Sequence, residues 1–225
     1  MANSTFPRFS FINFIVLFSF VSCASQEVPL YLKNKHYAIQ LAQYDLDTTR
    51  QADIVMLGNS LTFHANWNEL LHRKNIVNRG IISDNTTGYL HRLHYVYNLH
   101  PRICFIEGGV NDIYANEKVP DIYQNIIQII DTLKQHNIIP VVQSALLVGS
   151  KWHHAYEKNK EINALNTLLE EFTAKNTIEF LDINPHVTRD GLLRPEITTD
   201  GVHLNELGYA LWAPLLEQLL VKYNL

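Results

Sequence analysis

Ser60 lies in Gly58-Asn59-Ser60-Leu61-Thr62, directly after an apolar run. A serine leaving a buried strand is presented at the rim of a sheet, where its hydroxyl can attack a carbonyl once a base takes its proton. The nucleophile elbow of α/β-hydrolases needs a second glycine two residues after the serine, and Thr62 holds that place. A base stands far downstream, in Asp200-Gly201-Val202-His203-Leu204. Asp and His three apart in a tight loop can put the carboxylate on Nδ1–H, leaving Nε2 to accept a serine proton. Gly80, in Asn78-Arg79-Gly80, lets a backbone N–H approach a ligand closely, or supplies a positive φ. Asn111, in Gly108-Gly109-Val110-Asn111-Asp112, offers an uncharged amide donor suited to a developing oxyanion. Taken singly, each stretch also reads as a helix cap or an ordinary turn. Taken together and in order, they make a nucleophile, a base with its orienting acid, and oxyanion donors.

Such groups work only if one framework aims them at one point. Apolar runs at Asp53–Leu57, Ile76–Asn78, Arg102–Ile106, Ile139–Gln143 and Ile178–Leu181 read as buried parallel strands. Helical spacing lies between them. One stripe is Ile122, Ile126, Ile129, Ile130 and Leu133, a second Leu90, Leu93 and Tyr97, and a third Ile162, Leu165, Leu169 and Phe172. Residues 30–49 read as an amphipathic helix ahead of the first strand, and 205–222 as a closing helix containing Pro214. This alternation predicts an α/β domain, a parallel sheet with helices on both faces. Ligands bind such sheets at the C-terminal ends of the strands, where all five candidate residues fall.

Composition narrows the function. The 225 residues carry a net charge of −4 with no basic stripe, which excludes binding that depends on neutralising nucleic-acid phosphates. With 47% hydrophobic and 18% charged residues the chain builds a core. Two cysteines, Cys23 and Cys104, exclude a disulfide framework and a cysteine-rich zinc site. Of the 11 histidines, His91 and His94 are three apart and His153 and His154 adjacent, with no His-Glu-x-x-His, so metal-ligand spacing is absent. Cys104 reads as core. After Arg8 an apolar run from Phe9 to Val21 precedes Ser22-Cys23-Ala24-Ser25, a signal-peptide pattern over residues 1–24. Cleavage after Ala24 is one reading. The other takes Phe20-Val21-Ser22-Cys23 as a lipobox, with Cys23 lipidated and anchoring the protein to a membrane. Either predicts export in a bacterium: periplasmic, secreted or at the cell surface. Residues 25–52 are then a tether and helix, and 53–225 the folded domain.

The four blocks resemble those of the SGNH (GDSL-type) esterase and acylhydrolase family, over roughly Asp53 to Leu220. Gly191-Leu192-Leu193-Arg194-Pro195 is similar to the branch with platelet-activating-factor acetylhydrolase-like and bacterial carbohydrate esterases. Asn59 departs from the family's usual Asp. The resemblance implies a single three-layer α/β/α, flavodoxin-like domain with a five-stranded parallel sheet. It also implies an esterase with Ser60, Asp200 and His203 as its triad. The N–H groups of Ser60 and Gly80 and the Asn111 amide would then hold the oxyanion, and no metal or organic cofactor is needed.

The expected substrate is an acetyl or similarly short ester, on a small molecule or a glycan. Trp152 and His153, in Ser150-Lys151-Trp152-His153-His154-Ala155-Tyr156, together with Trp67, offer flat apolar faces and polar edges suited to sugar rings. Alternatives are a lysophospholipase or platelet-activating-factor-type lipid esterase, an O-acyltransferase using the same residues, and a non-catalytic glycan-binding protein.

Overall fold

The computed structural model describes Met1 and residues 28–225; the leader-like run and Cys23 lie outside the described residues. Five parallel strands form the sheet: β1 (Ile54–Gly58), β2 (Ile76–Gly80), β3 (Ile103–Ile106), β4 (Ile139–Gln143) and β5 (Glu179–Leu181). Their order is β2-β1-β3-β4-β5, and all five fall where the apolar runs predict. Ile54 pairs with both Ile76 and Ile103, so β1 is an interior strand lying between β2 and β3.

Alternation along each strand sorts the core onto two faces. Val55, Leu57, Cys104, Ile106 and Val142 point one way, into a cluster with α5 (Thr86–His91), α6 (His94–Tyr97), α7 (Val110–Tyr114), α8 (Val119–Gln135) and α9 (Ala155–Asn176). Ile54, Met56, Ile103, Phe105 and Val141 point the other way. They meet α3 (Ser60–Phe63), α4 (Trp67–Leu70), α10 (Asn184–Val187) and α11 (Glu206–Lys222). The α8 stripe buries all five of its predicted residues. Each such side chain contributes roughly 1.5–3 kcal/mol over an exposed position.

Two predicted helices are each divided. Residues 30–49 give α1 (Leu30–Lys33) and α2 (Lys35–Leu46), because Asn34 leaves helical geometry and its side chain accepts the His36 N–H as a cap. The Leu90–Tyr97 stripe is split at Arg92, whose φ of −124° ends α5. The α1–α2 segment docks on the end of β2: Tyr44 Oη donates to the Gly80 carbonyl at 2.8 Å, Tyr37 Oη to that of Gly88 at 2.9 Å, and Asn34 Nδ2 to that of Ile82 at 2.8 Å.

Candidate active site

Strand β1 must hand over to α3 without delay if Ser60 is to stand at the rim. Gly58 makes this possible, since a Cβ there would lie 2.0 Å from Thr62 Oγ1 and 3.0 Å from the Glu107 carbonyl oxygen. Asn59 caps the helix, its Oδ1 accepting the Leu61 N–H at 2.8 Å. As first residue of α3, Ser60 has an N–H with no intrahelical carbonyl to meet.

The base is assembled locally. Asp200 Oδ1 accepts the N–H groups of Val202 (2.9 Å) and His203 (2.8 Å), while Oδ2 lies 2.7 Å from His203 Nδ1. Burial works to raise the Asp200 carboxyl, but these hydrogen bonds from His203 and Val202 outweigh it and hold the group below the usual carboxylate range. An ionised Asp200 accepts from Nδ1–H, so Nε2 is the acceptor, and it lies 3.0 Å from Ser60 Oγ across 143 residues of sequence. Gly201, at φ 98°, lets the loop turn, and its carbonyl accepts the Gly149 N–H at 2.7 Å. The sequence-predicted triad is therefore brought together.

The oxyanion side differs from expectation at one residue. The Gly80 N–H is taken up by Asn78 Oδ1 at 2.8 Å. Glycine is needed there for a different reason, since a Cβ would sit 2.4 Å from Phe63 N as α3 crosses the strand end. Three residues on, Ser83 turns left-handed at φ 58° and is exposed, and its N–H has no hydrogen-bond partner among the described residues. Ser83 and Asn111 line one cavity of about 440 Å³. Asn111 Nδ2 donates one hydrogen to the Asp84 carbonyl at 2.8 Å, which leaves its second N–H to give.

Buried ionisable groups that the sequence reading missed hold this rim. Arg92 has no solvent exposure; it reaches the carbonyls of Gly58 (3.0 Å) and Arg79 (2.7 Å) and pairs with Asp84 at 2.7 Å. One guanidinium thus ties β1, β2 and the Asp84 loop together, its own charge balanced by Asp84. Glu107, at the end of β3, is fully buried, and burial raises its carboxyl to about 8 against hydrogen bonds from Asn59. Asn59 Nδ2 lies 3.4 Å from Glu107 Oε1, which accounts for the amide at that position: an Asp would set two carboxylates together out of water. His64, also missed, stands edge-on to His203 with ring centres 5.7 Å apart. Burial and the neighbouring His203 lower its basicity.

The aromatic expectations divide. Trp67 is 1% exposed, donates Nε1–H to the Thr62 carbonyl at 2.9 Å, and packs edge-on against Trp212. It belongs to the core and presents no face to a ligand. Trp152 is half-buried and His153 exposed. Both meet Tyr114, which lines the cavity beside Asn111 and donates its hydroxyl to the His153 carbonyl at 3.0 Å. Among the described residues no group of three or more His, Cys, Asp or Glu side chains could hold a metal ion.

Comparison with known proteins gives a consistent result. A sequence model of the GDSL-like lipase/acylhydrolase family matches residues 56–211. The platelet-activating factor acetylhydrolase IB subunit alpha1 of Pongo abelii is 28% identical over 181 residues, 77% of each chain. The N-acylneuraminate cytidylyltransferase of Streptococcus agalactiae is 28% identical over 103 residues, 46% of this chain; the chain spans about a quarter (24%) of that relative's length. A solved structure assigned as an acylhydrolase of Bacteroides fragilis superposes with a TM-score of 0.73 at 25% identity, covering 88% of this chain and 99% of that one.

Proposed function

Since the chain belongs to the GDSL-like lipase/acylhydrolase family, a family of carboxylic ester hydrolases, we propose that it is a serine esterase removing acetyl or similarly short acyl groups from carbohydrates. The observation that carries this reading is the chain of contacts from Asp200 through His203 to Ser60, at 2.7 and 3.0 Å. Ser60 Oγ attacks the ester carbonyl as its proton passes to His203 Nε2. The oxyanion is received by the N–H groups of Ser60 and Ser83 and the free N–H of Asn111. Collapse expels the alcohol, which takes the proton from His203. Water, deprotonated by the same imidazole, then attacks the acyl-serine and releases the acid.

Three observations support the substrate class. The relative matched over 77% of its length is named an acetylhydrolase, which favours a short acyl group. Tyr114, Trp152 and His153 gather aromatic faces and polar edges beside Asn111, a surface suited to sugar rings. The cytidylyltransferases matched in part are named for a sugar, N-acylneuraminate, in the same direction. The signal-like leader adds an extracytoplasmic setting, with Cys23 as the anchoring residue in the lipidated form. The test is a series of 4-nitrophenyl esters from acetate to octanoate, followed by acetylated oligosaccharides. Acetate is expected to give the highest kcat/KM, and Trp152→Ala to lower activity on sugar esters more than on 4-nitrophenyl acetate. A preference for octanoate overturns the short-acyl reading.

A further inference from the structure

The cavity beside Asn111 has a second wall that none of the four sequence blocks contains. Ser83, Asn111 and Tyr114 form one side, and Lys33, Lys35 and His36 of the α1–α2 segment face them. That segment precedes residue 56, where the family match begins. Its position is nevertheless fixed relative to the site. Asn34 donates to the Ile82 carbonyl, one residue before Ser83, while its Oδ1 caps His36. Tyr31 stacks on His91 at 4.6 Å, and Tyr37 and Tyr44 bury themselves with Ile81.

The chemistry of this wall is one-sided. None of the described side chains lining the cavity is acidic, although the chain as a whole carries a net charge of −4. Lys35 is exposed and has no ion-pair partner among the described residues. A cationic mouth on an acidic protein raises the local concentration of anions. Most of the other lining residues carry a polar group, with Leu30 and Ala115 the only aliphatic ones. Hydroxyl groups find a donor and acceptor there in the Ser83 hydroxyl and in the remaining hydrogen and lone pair of the Asn34 amide.

We propose that this cavity receives the alcohol portion of the ester and selects one bearing a carboxylate: an O-acetylated acidic sugar. The proposal rests on the esterase reading above and names its substrate. Lys35, through its charge, and His36, as a hydrogen-bonding neighbour, act on it as specificity residues, and neither touches the reacting atoms.

The test compares monoacetylated methyl glucuronoside with monoacetylated methyl glucoside, using the full chain. The acidic ester is expected to have the higher kcat/KM, about 3- to 10-fold through KM, the scale of one solvent-exposed ion pair with a hydrogen bond beside it. This ratio should shrink on adding salt. In Lys35→Met and in the double variant Lys35→Met/His36→Gln it should fall toward one, and in Lys35→Glu below one. A ratio of one in the unaltered protein, or a ratio that the variants do not move, overturns the proposal. So does faster turnover of an acetylated lysophospholipid than of the acidic sugar. Hydrolysis of 4-nitrophenyl acetate, abolished in Ser60→Ala, reports separately on the esterase reading. If that ester is turned over and the ratio is one, only the acidic-sugar proposal fails; if it is not turned over, both fail.

Discussion

The two halves of the site are built in opposite ways. Ser60, Ser83 and Asn111 follow three adjacent strands, and their placement derives from the buried sheet, the glycine contacts at Gly58 and Gly80, and the Arg92 staple. Asp200 and His203 are three residues apart on a half-exposed loop, positioned mainly by hydrogen bonds within that loop. Their carboxyl groups show the consequence. Asp200 is near water and bonded to donors, so it stays ionised; Glu107 is sealed behind the nucleophile and holds its proton up to about 8. The same functional group serves as a charged orienting acid in one half and as neutral filling in the other, and environment alone decides which.

Removing a reacting group from either half should be equally damaging despite this difference. Ser60→Ala and His203→Ala should each lower kcat/KM by on the order of 10⁴ or more, with the double variant scarcely worse, because the groups act as a unit. Wild-type turnover by Ser60→Ala would place the nucleophile elsewhere. The next effect is confined to the strand-borne half. Asn111→Ala should cost on the order of 10²–10³ in kcat, the scale of one oxyanion donor. Because Asn111 also holds the Asp84 carbonyl, Tm must be measured alongside. A change limited to KM would show that Asn111 binds substrate and does not stabilise the transition state.

The same division explains what could be read from the sequence. β1, β3 and β4 were legible because both faces of each are covered, which leaves continuous apolar runs, and the less buried edge strands β2 and β5 by their shorter apolar runs in the same alternation. The Asp200–His203 pair was legible because its geometry is local. What failed depends on contacts between distant segments. Gly80 looks like a donor in one dimension, and only the crossing of α3 shows why it is a glycine, while the left-handed turn falls to Ser83, which no composition rule marks. Trp67 lies seven residues after the nucleophile, yet it packs on Trp212 of α11 in the core. The Asn59–Glu107 contact joins the ends of two strands 48 residues apart, so the amide at position 59 has no visible reason in its own neighbourhood.

The smallest expected effect separates the two carboxyl groups by stability. Glu107 has a folded value of about 8 against 4.5 for an ordinary glutamate. Between those limits the folded chain keeps a proton that the unfolded chain has lost. Stability from this group is therefore complete below about 4.5 and is lost as pH rises through about 8, with a slope of up to ~1.4 kcal/mol per pH unit. Asp112, raised by burial to about 6, adds a slope of the same sign at lower pH. The Glu107 contribution is accordingly read between pH 6 and 8. Asp200 has the opposite sign, its lowered value contributing stability that is lost on acidification. Urea unfolding of the wild type and Glu107→Gln at pH 6, 7 and 8 should show the wild type weakening with pH and the variant flatter. Glutamine retains a carbonyl oxygen for Asn59 and carries no proton to lose. Parallel profiles would mean that Glu107 is ionised in the folded protein. The two halves of the site would then hold their carboxylates in the same state, and Asn59 would be the partner of a buried charge.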